Sequence, residues 1–209
     1  MAGPLTVSSD TRDCKFSVLY ADPPWKFAPM GIAPEAIHKA LASHSAAEDH
    51  YPTMTLESMK QLRVGYMAAP SSVLFMWATS PFLKQALELM EAWRFQYKTC
   101  AFVWAKRNAD NTGWAHAGGW YTLSGTELCL LGTRGKTLPR VSKNQYQLIV
   151  APRSIHSAKP AEARHRIERI YGDVPRLELF AREHNDGWAV WGNEVHSDVD
   201  ISPMTKLSQ

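Results

Sequence analysis

The sequence contains few cysteines and no long apolar run, and both absences exclude whole classes of protein. Its three cysteines, Cys14, Cys100 and Cys129, lie far apart and form no Cys-x-x-Cys pair, so they predict neither a disulfide framework nor a zinc site. No apolar stretch approaches the roughly 18 residues of a membrane-spanning helix, and the first residues lack a basic-then-apolar signal pattern. We therefore expect a cytoplasmic protein with reduced thiols, no membrane contact and no bound metal.

Acidic residues are missing from one long stretch of the chain. The net charge is only +3, but no Asp or Glu occurs between Glu127 and Glu162. The cations of this stretch are Arg134, Lys136, Arg140, Lys143, Arg153 and Lys159. Such a local excess of positive charge suits a phosphate backbone and predicts a nucleic acid partner, although a solvated surface produces the same pattern.

The chain also has no internal repeat, no low-complexity tract and no convincing linker. Its 209 residues therefore predict one domain, 1–209, with loose tails at 1–13 and 196–209, as a monomer or a homodimer. Helical patterns begin near Thr55, Ser80 and Pro160. Strand-like apolar runs cover residues 16–21, 73–78, 97–105, 127–133, 147–151, 176–180 and 188–191. This alternation predicts an α/β fold with a mostly parallel, doubly wound sheet and helices on both faces.

A rigid corner follows the first predicted strand. Asp22-Pro23-Pro24-Trp25 comes directly after the apolar run 16–21. Two consecutive prolines fix φ, remove two backbone donors and keep the preceding residue extended. Because ligands of open α/β sheets bind at the carboxyl ends of the strands, a site is expected at this corner.

The residues of the corner suit a flat group that carries an amino nitrogen. The Asp22 carboxylate and the Pro23 carbonyl can accept two N–H bonds, while the Trp25 indole can stack on the ring. An ordinary Asp-Pro turn with Trp25 in the core is the alternative interpretation. A similar choice applies to the polar, glycine-rich segment 108–119, because Trp114 and the following Trp120 are either base-stacking or packing residues.

Several motifs resemble, in order, those of the N6-adenine methyltransferase family. That family includes the catalytic subunit of the messenger-RNA adenosine methyltransferase as well as bacterial and phage DNA-modifying members. The matching blocks are Tyr20–Trp25, His50–Met54, Leu74–Trp77, Phe102–Lys106, Glu127–Lys136, His156–Pro160 and Leu177–Glu194. They span about residues 15–195, without the zinc-finger and partner-docking regions of the large eukaryotic members, so we expect the bacterial or phage branch.

The resemblance implies a Rossmann-like class I methyltransferase that transfers a methyl group from S-adenosylmethionine to the exocyclic N6 amine of adenine. It implies catalytic roles for Asp22, Pro23, Pro24 and Trp25. The cofactor-binding residues that it implies are Asp22, Lys159, Arg182, His184, Asn185, Asn193 and Glu194. Substrate binding is expected from Trp25, Tyr51, Lys106, Arg134, Lys136, Arg140 and Lys143. Asp10 and Asp13 are candidates for contacting the cofactor's adenine, although their spacing departs from the family pattern.

DNA is the expected substrate, and RNA is the alternative within the same chemistry. A further alternative is a non-catalytic, nucleic-acid-binding partner subunit. The intact Asp22 and Trp25 argue against that alternative, because a scaffold does not need both. A cytosine-N4 enzyme also methylates an exocyclic amine, but such enzymes favour a smaller or phenolic residue at the position of Trp25.

Overall fold

The centre of the fold is a mixed sheet, seen in a computed structural model that describes residues 15–25, 53–118, 121–154 and 158–203. Its strands are β1 Phe16–Ala21, β2 Ala68–Ala78, β3 Gln96–Arg107, β4 Thr126–Arg134, β5 Leu148–Pro152, β6 Arg176–Leu179 and β7 Ala189–Trp191. Across the sheet they lie in the order β5-β3-β4-β2-β1-β6-β7. Every pairing is parallel except those of β4, which runs antiparallel to β2 and β3. The predicted mostly parallel sheet is confirmed.

Helices cover both faces of the sheet. They are α1 Leu56–Lys60, α2 Val64–Met67, α3 Leu83–Ala92 and α4 Ala161–Tyr171, with a short 3-10 turn at Ser80–Phe82. The first three pack on one face and α4 packs on the other. Strand β1 is buried between them, since Leu19 and Ala21 face the first group of helices whereas Val18 and Tyr20 face α4. Of the helices in the described ranges, none has the length and apolar character needed to cross a membrane.

Local sequence signals set the helix ends. Thr55 caps α1, because its hydroxyl accepts a hydrogen bond from the backbone N–H of Ser58 at 3.1 Å. Pro160 is the residue before α4, and Gly172 ends that helix with φ of +66°, a conformation that favours glycine. The chain enters β6 from there.

The segment after β7 is packed rather than loose, which corrects the predicted tail for residues 196–203. Val199 and Ile201 are buried in the core beside α1 and α2. The backbone N–H of Asp198 donates to the Val190 carbonyl at 2.9 Å, and the Ile201 carbonyl accepts from Arg63 at 2.8 Å. Alternating apolar residues among polar neighbours explain the error, since only one side of this short extended segment is buried.

Candidate active site

A cleft lies where β1, β6 and β7 end. Its lining residues come from the three loops that leave these strands, and they are Asp22, Pro23, Pro24, Phe180, Ala181, Arg182, Asn193 and Glu194. The three ends meet because the strands are neighbours and run parallel. The structure thus brings the predicted residues Asp22, Arg182, Asn193 and Glu194 together at the carboxyl edge, where α/β sheets bind ligands.

Backbone hydrogen bonds fix the Asp-Pro-Pro corner. The Trp25 N–H donates to the Pro23 carbonyl at 2.9 Å, and the Met54 N–H donates to the Pro24 carbonyl, also at 2.9 Å. Each carbonyl oxygen has two lone pairs, so the Pro23 carbonyl keeps capacity for one more donor. The corner is therefore held from both sides, and Asp22 projects from a rigid support.

The Trp25 indole lies inside the protein, with 8% of its surface exposed. It stacks on Phe82, with ring centroids 5.5 Å apart and an interplanar angle of 10°. This placement fits the packing interpretation better than stacking on a substrate ring, since Phe82 covers one face of the indole. Its Nε1 is buried and bonded to none of the described groups, and such a donor suggests a polar partner supplied by a ligand.

Asp22 is the first of four charged side chains of alternating sign that contact one another in a row. The Lys159 ammonium lies 2.7 Å from Oδ2 of Asp22 and 3.3 Å from Oε2 of Glu127, and Lys106 bonds the other oxygen of Glu127. Because β2 lies between β1 and β4, Lys159 bridges these strands above the Trp77 ring, 6.0 Å from its centroid. Two cations thus balance two carboxylates, as partly buried charges require.

The four charges set the pKa values of the site. Burial raises the pKa of Asp22 above its usual value, although Lys159 opposes this effect. Burial also acts to raise the pKa of Glu127, but Lys159 and Lys106 outweigh it and hold that pKa below its usual value. For Lys159, burial acts to lower the pKa, and the two carboxylates reverse this and raise it. Lys159 therefore stays charged, and Asp22 is the carboxyl that protonates first as the pH falls.

Glu127 is a site residue that sequence reasoning missed. Its side chain is only 7% exposed and it holds both lysines. An isolated acid at the start of an apolar strand gives no pattern of its own. The available signal was its position at the border of the stretch without acids, where it is the last carboxylate before six cations.

A second buried ion pair orients Asn185. Arg164, on α4, binds both oxygens of Glu178, at 3.2 and 3.3 Å, and donates from Nη1 to Oδ1 of Asn185 at 3.0 Å. This contact fixes the amide, because only the oxygen of Asn185 can accept a hydrogen bond. The Nδ2 of Asn185 is buried without a partner in the described part of the chain, so its capacity to donate is unused there.

The remaining predicted cofactor residues lie around the cleft mouth. Arg182 approaches Glu194 with 3.7 Å between Nε and Oε1, which links the loops after β6 and β7. His184 is exposed. Phe180 has φ of +61°, a strained conformation for a bulky residue, and packs against Trp93 and Trp191. Strain held by packing at the end of a strand is typical of a functional site.

The basic loop, residues 134–143, lies at the opposite edge of the sheet. Since β4 runs antiparallel, it carries the chain away from the cleft, and Arg134 pairs with Ser72 in the first half of β2. Asp22 follows the pairing of Ala21 with Met76, about 13 Å further along the sheet at 3.3 Å per residue. The sequence pattern could not give the direction of β4.

The predicted substrate residues therefore do not assemble as expected. Lys136 donates its backbone N–H to Ser71 at the same amino edge. Arg140 and Lys143 flank Val141 and Ser142, whose N–H groups donate to the Ile170 carbonyl near the far end of α4, about 14 Å from its first residue. Lys106 does reach the site, but it is paired with Glu127. Tyr51, Asp10, Asp13 and Trp120 lie outside the described residues.

Comparison with known proteins shows the family to which the chain belongs. The profile of the MT-A70 family matches residues 16–194. The chain is 36% identical over 204 residues to the type II methyltransferase M.MunI of Mycoplasma sp, which covers 93% of this chain and 84% of that protein. It is 31% identical to the N(6)-adenosine-methyltransferase MT-A70-like protein of Arabidopsis thaliana and 29% identical to the human N(6)-adenosine-methyltransferase catalytic subunit METTL3. These two comparisons cover 87% of this chain but 24% and 28% of the relatives. The chain belongs to the MT-A70 family of methyltransferases.

Proposed function

We propose that the chain transfers a methyl group from S-adenosylmethionine to the N6 amine of adenine in DNA. The observation that carries this proposal is the fixed corner at the cleft, where Asp22 is held through Oδ2 alone. Its Oδ1 has no hydrogen-bond partner among the described groups, so it is available to an amine. The plant and human relatives are N(6)-adenosine-methyltransferases, which supports the N6 position, and the length match to a type II methyltransferase supports DNA.

The cleft residues fit this cofactor chemically. Arg182, together with Lys159, would hold the carboxylate group of a methionine moiety. Asn193 and Glu194 would accept and donate hydrogen bonds at a ribose diol. The buried Nδ2 of Asn185, fixed by Arg164, would serve an acceptor atom such as a ring nitrogen. When bound, S-adenosylmethionine supplies an electrophilic methyl group on a sulfonium centre.

Asp22 and Pro23 would position the adenine. The N6 amine is a poor nucleophile because its lone pair is delocalised into the ring. Oδ1 of Asp22 and the second lone pair of the Pro23 carbonyl can accept its two N–H bonds, which favours a pyramidal nitrogen with an available lone pair. Holding reactants in line contributes on the order of 7–11 kcal/mol in well-oriented systems, so no strong base is needed before attack. The product ammonium is acidic, and Asp22 is placed to accept its proton.

A methyl-transfer assay tests the proposal. Matched DNA and RNA oligonucleotides are incubated with labelled S-adenosylmethionine, digested, and their nucleosides separated by mass. We expect N6-methyladenine in the DNA, with a flipped-out or unpaired adenine as the acceptor. A product found only in RNA would move the same chemistry to the alternative substrate. Methyl transfer to cytosine, or to neither polymer, would contradict the proposal.

The charge arrangement predicts a pH dependence with a defined sign. Asp22 accepts hydrogen bonds fully only when ionised, so the rate should fall as the pH drops through its raised pKa. Lys159→Met removes the nearby cation that lowers the pKa of Asp22, while burial and the charge of Glu127, which raise that pKa, remain. The pKa of Asp22 then rises further, and the acid limb of the pH–rate profile at saturating cofactor should move to higher pH.

Lys136→Met is the matched control, because it removes a lysine at the amino edge of the sheet. Its acid limb should coincide with that of the unmodified protein. If Lys159→Met lowers the rate uniformly and leaves the acid limb in place, Lys159 does not tune Asp22.

A further inference from the structure

The described residues between β3 and β4, 108–118 and 121–125, form a small hairpin at the carboxyl edge. The Ala115 N–H donates to the Lys106 carbonyl and the Lys106 N–H donates to the Gly125 carbonyl, both at 2.9 Å. Further out, Ala117 and Ser124 exchange backbone hydrogen bonds at 2.8 and 2.9 Å. The hairpin is therefore anchored to the end of β3, on the same edge as the cleft.

This hairpin exposes aromatic and apolar side chains. Trp114 is 58% exposed, Leu123 is 67% exposed and Tyr121 is fully exposed. Arg107 holds Trp114 from one side, since its guanidinium carbon lies 5.1 Å from the indole centroid and its Nη2 donates to the Asn111 carbonyl at 2.8 Å. An exposed indole held by an arginine is a preformed platform, and large exposed apolar side chains mark interaction sites.

The charge around the platform is positive. Arg107 and the exposed Arg153 lie together, because the Arg153 N–H donates to the Arg107 carbonyl at 2.9 Å. Asp110 is the one acid in residues 108–125, and it is occupied by the N–H and hydroxyl of Thr112. Cations beside an aromatic face are the combination that single-stranded nucleic acid binds, through phosphates and stacked bases. A protein partner would gain less from these two guanidinium groups, neither of which pairs with a carboxylate among the described residues.

The platform is within reach of a strand whose base occupies the corner. Strand β3 is three positions from β1 in the sheet, about 14 Å at the usual strand spacing. One strand of duplex DNA rises about 3.4 Å per nucleotide, and an unpaired strand is more extended. The platform also lies further along the strands, because Asp22 is level with about Phe102 in β3 whereas Trp114 lies beside Arg107, five residues on, about 17 Å at the usual rise per residue. The two offsets together give about 22 Å, which corresponds to about six or seven nucleotides at duplex spacing and to fewer in a more extended strand.

We propose that Trp114, supported by Arg107, stacks on an unpaired base of the strand that presents adenine at Asp22. This inference rests on the proposed function and adds the path of the substrate, which crosses the ends of β2 and β4 toward β3. Arg153 contacts phosphates of the same strand. The basic loop at the amino edge takes no part in this path.

Fluorescence anisotropy with a single-stranded DNA oligonucleotide tests the platform. Trp114→Ala should raise Kd by about 5- to 100-fold, the usual effect of losing one base–aromatic stack, and Trp114→Phe should recover most of the affinity. Tyr66→Ala is the matched control, since Tyr66 is 54% exposed and has Arg94 over its ring at 5.2 Å, but lies in α2 at the amino edge. Its Kd should be unchanged.

An abasic scan identifies the stacked position. Removing the base at one position within reach of the target adenine should weaken binding to the unmodified protein, whereas Trp114→Ala should be insensitive at that position. Equal Kd values for Trp114→Ala and Tyr66→Ala, or an altered oligomeric state of Trp114→Ala with unchanged DNA binding, would overturn the platform. Methyl transfer by the unmodified protein is measured in parallel. If the protein methylates DNA but Trp114 makes no difference to binding, only the platform is contradicted. If the protein neither binds nor methylates DNA, the proposed function is contradicted as well.

Discussion

Replacing Asp22 with asparagine is expected to lower the rate of methyl transfer by a factor on the order of 10³, which is the usual effect of removing one preorganised electrostatic contact from an active site. The carboxylate is asked to do two things, to accept a salt bridge from Lys159 through Oδ2 and to accept an amine N–H through Oδ1. An asparagine amide has one oxygen, which accepts hydrogen bonds, and one NH2 group, which only donates them. The oxygen can accept from either Lys159 or the amine, and the NH2 group then faces the other donor.

The measurement is a single-turnover rate at saturating cofactor and DNA, so that weaker binding does not enter. Asp173→Asn is the matched control, because Asp173 is exposed between α4 and β6 and should leave the rate unchanged. Folding is checked by the thermal midpoint of both variants. Lys159 keeps Glu127 as a partner, so the Asp22 variant should remain folded. Turnover equal to that of the control would remove Asp22 from the reaction.

The position of the Asp22 corner could be predicted from sequence because every signal for it is local. An apolar run predicts a strand, two prolines end it, and the carboxyl ends of parallel strands share one edge of a sheet. The expectation that Arg182 and Glu194 belong to the same site came instead from the family resemblance, which matches blocks of sequence and not local physical signals. Burial of Trp25 depends instead on Phe82, which is distant in sequence, and no local pattern distinguishes an indole that stacks on a neighbour from one that stacks on a substrate.

The distance of the basic loop from the cleft was not predicted either, and its cause differs from that of the burial of Trp25. Apolar periodicity identifies a strand but carries no information on its direction, and β4 is the strand that runs against the others. Reversing one strand exchanges the edges at which its two ends lie. Glu127 thereby enters the site at the start of β4, and Arg134 leaves it at the end. Both the missed residue and the distance of these cations from the cleft follow from this single reversal.

The orientation of Asn185 and the width of the cleft also depend on contacts between residues distant in sequence, which local patterns do not predict. Arg164 orients Asn185 only because α4 packs on the face of the sheet next to Glu178 of β6, and the spacing of the cleft depends on how closely the loops after β6 and β7 approach. The Ala181 N–H donates to the Trp191 carbonyl at 3.0 Å. That contact leaves no room for a side chain at the next residue.

Gly192→Ala is therefore expected to destabilise the protein by about 3 kcal/mol, at the upper end for overpacking of a well-packed site. A Cβ at this position would lie 2.0 Å from the Ala181 carbonyl oxygen and 2.8 Å from its nitrogen, and backbone atoms cannot rotate away as a flexible side chain can. For a chain of this size the thermal midpoint should fall by roughly 6–12 °C. Gly118→Ala is the matched control, since a Cβ there meets nothing within 4 Å and should change stability by less than about 0.5 kcal/mol. Equal midpoints for the two alanine variants would mean that the loops after β6 and β7 do not approach as closely as the structure shows.

Gly192→Ala should also weaken S-adenosylmethionine binding, because the clash separates the loops that carry Arg182 and Glu194. Calorimetry at a temperature below the lowered thermal midpoint of the variant measures this binding.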